Sequence, residues 1–419
     1  MTNTTIWLSE YTIIDKVSQA VDPLGLMRPA GALRDLLFPQ FTVLTHHPAY
    51  LGLLCALLSW LEAHGERNLK DLPLDFRRLE ILWGTAVSLE ERPLNVTKFN
   101  RLLEQFPDGF RLGDVSRNHL VLKRLGYGTL GHYSRPAMTW QLVQPKTFAL
   151  TSFGRDLAKG FTARGTGWTA AFDAWASNKP VELAEMQRFG KAFGLQAHPS
   201  TDEAKTWRSL ITHHGTKHPA QSVLWDTPLP AKALEIENPQ SYQNYWKIVR
   251  AQYPSLKATL DVVYLFERVT SALQLLFFHR VARGEREGTA AKAPASLMAL
   301  APPIVELAQR CQTQQAFVDA RNLVATVANA SPSLPAIERC LIDHHISHNT
   351  AKGAAPFIDH GGVKVRGRVD WGHISQVVDA LDTGPDAALD YAQYVYGRDW
   401  QFGKCRLWYD HANFARTRP

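Results

Sequence analysis

Apolar residues recur along this chain mostly at helical spacing. In Gly31–Phe38 (GALRDLLF), Leu33, Leu36 and Leu37 share one helical face, and Pro39 ends the run. Pro48 opens the longest apolar stretch, Ala49–Leu61 (AYLGLLCALLSWL). Its 13 residues fall short of the ~20 needed to span a bilayer, so it predicts a buried core helix. Leu79–Leu89 begins another helix, closed by Pro93. Thr97–Phe106 places Phe99, Leu102, Leu103 and Phe106 on one stripe. Further helices are predicted at His119–Leu125, at Ser134–Val143 with Ser134 as N-cap, and at Ser152–Phe161 with Thr151 as N-cap. A short strand, Thr147–Leu150, precedes the last of these. Residues 166–283 read as mainly helical and end in the strongest helix, Leu256–Arg283. Gly284–Ser296 is small, polar and unpatterned, which reads as a linker. Helices follow at about 302–330 and 336–349. Alternation on either side of His360-Gly361-Gly362, from Phe357 to Val369, predicts a β-hairpin. A helix around His373–Leu381 and a Tyr/Trp-rich tail complete the chain. The expected fold is mainly α and multidomain. Its segments are an N-terminal helical domain (1–95), a module at 96–165, a helical domain (166–283), a linker (284–300) and a helical region with the hairpin (301–419).

With 419 residues, 45% of them apolar and 20% charged, the chain has ample mass for a core, and disorder of the whole is excluded. Lys and Arg number 46 against 39 Asp and Glu, a formal charge of +7. That balance permits a polyanionic partner without requiring one. Cys55, Cys311, Cys340 and Cys405 form no CxxC and no disulfide framework. Met1–Glu10 carries no basic and apolar leader pattern. Together these features predict a reduced, cytoplasmic protein with no membrane partner.

The positive charge is unevenly spread. Residues 97–160 hold ten basic and four acidic side chains, a surplus of six. The end of this segment, Phe148–Ala158 (FALTSFGRDLA), resembles the exit of winged-helix domains, where a wing strand packs back and a threonine caps the next helix. The resemblance implies that SRPAMTWQLV holds the recognition-helix position, although the wing here is very short. Arg117, Lys123, Arg124, Arg135 and Lys146 become the candidate phosphate contacts. A purely protein-binding module is the alternative. In the hairpin, Lys364, Arg366 and Arg368 share one face of Val363–Val369. Such a row either tracks a phosphate backbone or guards an exposed sheet edge.

Leu334–Asn349 (LPAIERCLIDHHISHN) puts Ile337, Leu341, His344 and His348 on one stripe. His344 and His348 have the spacing of two metal ligands, with Asp343 or Asp359 able to add oxygen. Imidazoles turned inward onto backbone carbonyls explain the same pattern. The glutamate of HExxH is missing, as are P-loop, GxSxG and paired DxD motifs. Catalysis is therefore not expected, and neither is a cofactor. His213, His214 and His218, near Gly215 and Pro219, read as loop residues.

Leu24–Leu58 resembles the opening of a group of uncharacterised bacterial proteins encoded in phage-defence islands, often beside helicases. The shared residues are Leu33, Arg34, Asp35, Leu36, Leu37, Phe38, Pro39, Thr45, Pro48 and Tyr50; Ser134-Arg135-Pro136 and Arg339–His345 are also similar. Gln40 stands where glycine is usual, and His46-His47 where arginine is expected. The resemblance implies anti-phage defence and partners such as an ATPase, helicase or nuclease, but transfers no residue role. The sequence thus predicts a non-catalytic, nucleic-acid-binding subunit of a defence complex, with DNA ahead of RNA. The rival readings are a metal-dependent nuclease built on His344, His348 and Asp359, and a protein-only assembly scaffold.

Overall fold

A computed structural model describes residues 22–41, 47–64, 72–89, 129–177, 179–287, 295–312, 321–364, 384–398 and 400–414. They are mainly helical. In chain order the helices are α1 (Met27–Leu37), α2 (Ala49–His64), α3 (Leu72–Ser88), α4 (Thr129–Thr139), α5 (Ser152–Thr162), α6 (Trp168–Ala176), α7 (Leu183–Phe193) and α8 (Thr201–Lys217). Then follow α9 (Pro219–Asp226), α10 (Pro239–Gln252), α11 (Lys257–Glu287), a single turn at Ala295–Met298, α12 (Ala301–Gln312), α13 (Arg321–Ala328), α14 (Leu334–Ala351), α15 (Pro385–Tyr396) and α16 (Phe402–Asn413). A two-stranded antiparallel hairpin after α14 pairs β1 (Ile358–Asp359) with β2 (Gly362–Val363), Ile358 opposite Val363. Among the described residues, no helix is long and apolar enough to cross a membrane. The helices expected at 97–106, 119–125 and 373–381 lie outside the described residues.

The chain forms two compact units, each discontinuous in sequence. The first comprises Met1–Leu33 and Glu235–Arg398, the second Arg34–Leu234 and Asp399–Pro419. The segments read from the sequence are contiguous; these units are not.

In the second unit, α2 is buried along nearly its whole length, as a helix apolar on all sides must be. It packs against α3, α4 and α5. α8 packs against α5, α9 and α16, and these contacts enclose an aromatic core. Trp140 and Trp408 stack at 5.7 Å, and Trp207 meets Trp408 edge-on at 4.9 Å. Trp225 closes on Trp140 at 5.5 Å, and Phe41 on Trp408 at 4.9 Å. Such pairs add about 0.5–1.5 kcal/mol each beyond the area they bury. The indole N–H groups of Trp140, Trp207, Trp225 and Trp408 are buried without a hydrogen-bond partner among the described residues. Beside this core, Arg164 grips Glu203 in a two-point fork (2.6 and 2.7 Å), and the His411 imidazole reaches the same carboxylate at 2.9 Å. Burial alone would raise the Glu203 pKa; Arg164 and then His411 outweigh it and hold the carboxyl at about 2.

In the first unit α11 is the spine. α10, α12, α14, α15 and the hairpin strand β2 all pack on it. The linker expected over 284–300 is shorter at both ends: α11 continues through Gly284 to Glu287, and Ala295–Met298 is helical with Leu297 and Leu300 fully buried. Glu285 and Glu287 favour a helix, and Gly284 lies where β2 approaches: a Cβ there would sit 2.8 Å from the Val363 side chain. Glu267, fully buried on α11, accepts hydrogen bonds from the Tyr242 hydroxyl and from the Arg398 backbone N–H.

Candidate nucleic-acid interface

The segment Thr129–Thr162 forms two helices joined by a tight loop. The first was expected to start at Ser134; it starts at Thr129, whose N–H and hydroxyl both donate to Glu80 at 2.5 Å. Pro136 therefore lies inside α4, which ends at Thr139 rather than near Val143. The short strand expected at Thr147–Leu150 is reduced to one antiparallel bridge between Val143 and Leu150. Thr151 caps α5 as expected, accepting from the Gly154 N–H at 3.1 Å. Its hydroxyl also donates to the Gln141 carbonyl at 2.6 Å, which ties the loop's base to the helix start.

Within this loop Gln141, Lys146 and Phe148 all have left-handed backbone, with φ of 56°, 73° and 53°. Non-glycine residues take that region at a cost of order 1–3 kcal/mol each and hold it only where surrounding bonds enforce it. Here the bonds are Gln144 N–H to the Ala149 carbonyl (2.8 Å), Phe148 N–H to the Gln144 carbonyl (3.1 Å) and Thr151 N–H to the Leu142 carbonyl (3.0 Å). The result projects Lys146, exposed, from a constrained turn. At the loop's base, Lys217 Nζ donates to Gln141 Oε1 at 3.2 Å, and the His213 imidazole lies 3.4 Å from the same oxygen. His213 also packs on Phe153 at the start of α5.

Of the sequence candidates, Arg135 is exposed on α4 and pairs with Asp35 at 2.5 Å. Lys146 stands at the loop tip. Lys364 belongs to the first unit, where it pairs with Asp359 at 3.3 Å. Arg117, Lys123, Arg124, Arg366 and Arg368 lie outside the described residues. Sequence reading missed Lys217, His213 and Gln141. It placed His213, His214 and His218 in a loop, but His213 and His214 are on α8 and His218 ends it. The signal was available: Ser200 caps α8, with Asp202 and Glu203 in its first turn. Gly215 lies within the helix, since one glycine costs a helix only about 1 kcal/mol.

The histidines of α14 are held by the N-terminal segment of the first unit. His344 Nε2 donates to the Leu24 carbonyl at 3.0 Å. His345, which the sequence reading passed over, is fully buried; its ring nitrogens lie 2.9 Å from the Pro23 carbonyl and 3.2 Å from the Phe357 N–H. His348 packs on Gly25, whose φ of +66° brings the backbone against the imidazole. Asp359 accepts from the Gly361 N–H and pairs with Lys364, while His360 pairs with Asp343 at 2.7 Å. Among the described residues, no three His, Cys, Asp or Glu side chains gather in a way that would hold a metal ion.

No protein-family model matches the chain, and no curated protein or solved structure matches it.

Proposed function

We propose that this protein is a non-catalytic, nucleic-acid-binding subunit, with DNA as its ligand, that contacts phosphates through the α4–α5 loop and the end of α8. One observation carries the reading: a constrained loop presents Lys146 at its tip while Lys217 and His213 converge on Gln141 at its base. A fixed cation loses less entropy on meeting a phosphate than a free one does, so backbone strain at this loop has a use. Arg155 and Lys159, exposed on α5, extend the positive charge along the same segment. In the winged-helix reading α4 takes the recognition-helix position and the 141–148 loop the wing. The resemblance of Leu24–Leu58 to defence-island proteins supplies the context, a complex that directs an ATPase, helicase or nuclease to invading DNA.

Lys146→Glu with Lys217→Glu tests this. Both side chains are exposed, so the fold should survive, as judged by circular dichroism. DNA affinity should fall at least tenfold, and the slope of log affinity against log salt should drop by about one for each lysine. Unchanged affinity and slope would refute the interface.

A further inference from the structure

A cavity of about 190 Å³ opens beside this loop in the second unit. Trp140 and Leu210 line its apolar side; His213, His214 and Lys217 supply polar groups. We propose that it receives a single unstacked nucleobase, from a single strand or a frayed end. The inference rests on the nucleic-acid reading above and specifies what the site selects.

Two observations favour a base over other acceptors. The first is size. At about 30 Å³ per water, the cavity holds the equivalent of some six waters. That admits one planar heterocycle but not a stacked pair, and it is smaller than the roughly 300 Å³ at which sites for drug-sized ligands begin. The second is the wall chemistry. An aromatic face with a few polar groups at the edge is how extruded bases are held, whereas a bare phosphate would want charged groups on every side. His214 suits this role: burial and then the neighbouring His218 lower its pKa to about 4, so the ring stays neutral near pH 7. Lys217 lines the cavity and also stands at the proposed phosphate contact, so a strand following Lys146 and Lys217 would pass the opening.

The test uses the full-length protein and a short oligonucleotide carrying one 2-aminopurine, either single-stranded or in a blunt duplex of the same sequence. The wild type should bind the single strand about tenfold more tightly than the duplex, the weight of roughly one stacked base. The 2-aminopurine emission should change when the labelled base enters the cavity. Thr139→Phe, which fills the cavity from the end of α4, should bring the single-strand to duplex ratio towards one and remove the emission change. His218→Trp, at an exposed position on the lining, is the second block should Thr139→Phe fail to fold. Equal affinity for the two forms, or a ratio unmoved by a folded block, overturns the base pocket and leaves the phosphate interface standing. Failure to bind either form overturns both.

Discussion

At the scale of single residues, burial of imidazoles dominates the chemistry. His214 and His279 are 6% and 4% exposed. Burial, reinforced by His218 for the first and Arg283 for the second, lowers each pKa to about 4. In the unfolded chain both titrate near 6.5. From pH 6.5 down to about 4 the unfolded chain binds protons that the folded chain refuses, so stability falls as pH falls. Each histidine contributes up to about 1.4 kcal/mol per pH unit across that window. The melting temperature should therefore drop between pH 7 and pH 4.5, and His279→Leu should make the drop shallower by one proton's worth. Identical acid slopes for wild type and variant would show that His279 is not neutral in the fold. The histidines also mark a limit of sequence reading. His344 was recognisable as an inward-facing residue because Ile337 and Leu341 flank it on a helical stripe. His345 was not, because its partners, the Pro23 carbonyl and the Phe357 N–H, come from segments that no local pattern connects.

At the scale of elements, what was legible in the sequence was whatever is decided locally. Thr151 before Ser152, the apolar run of α2 and the turn at His360-Gly361 all sit where expected, since a cap, a buried helix and a tight hairpin each depend on a few adjacent residues. Element ends that depend on distant partners were misplaced. Glu80 accepts from the first residue of α4, and β2 comes close to α11 at Gly284, inside the expected linker. The candidate site divides in the same way. Lys146 was legible as a basic residue in a turn, but Lys217 joins it only through the packing of α8 on α5. Thr151 is where local and distant effects meet, because it caps α5 and also holds the Gln141 carbonyl. Thr151→Ala should cost about 0.5–2 kcal/mol, readable in urea unfolding. It should also loosen the 141–148 loop, seen as faster amide exchange at Gln144, Phe148 and Thr151. A cost of zero with unchanged exchange would mean that the loop is held by its backbone bonds alone.

At the scale of the whole molecule, the division into two discontinuous units makes a claim about cooperativity. Trp408 on α16 stacks on Trp140 and meets Trp207, so the core of the second unit joins residues some 200 positions apart. Trp408→Ala should cost about 3–5 kcal/mol. In amide exchange the loss of protection should spread through α2, α5 and α8, while α10, α11 and α14 keep theirs. Loss spread evenly over both sets would mean that the units do not unfold separately. The grouping was invisible in the sequence, where neighbours along the chain are the natural companions and nothing local marks α16 as the partner of α8.

The same discontinuity has a consequence during translation. The second unit is begun by Arg34–Leu234 but cannot be completed until Phe402–Asn413 has left the ribosome. At about 5–20 residues per second, synthesis of the stretch between them takes on the order of ten seconds or more. For that interval the indoles of Trp140 and Trp207 lack their cover, on a nascent chain long enough to meet other nascent chains. The second unit is therefore completed late, whatever its intrinsic folding speed.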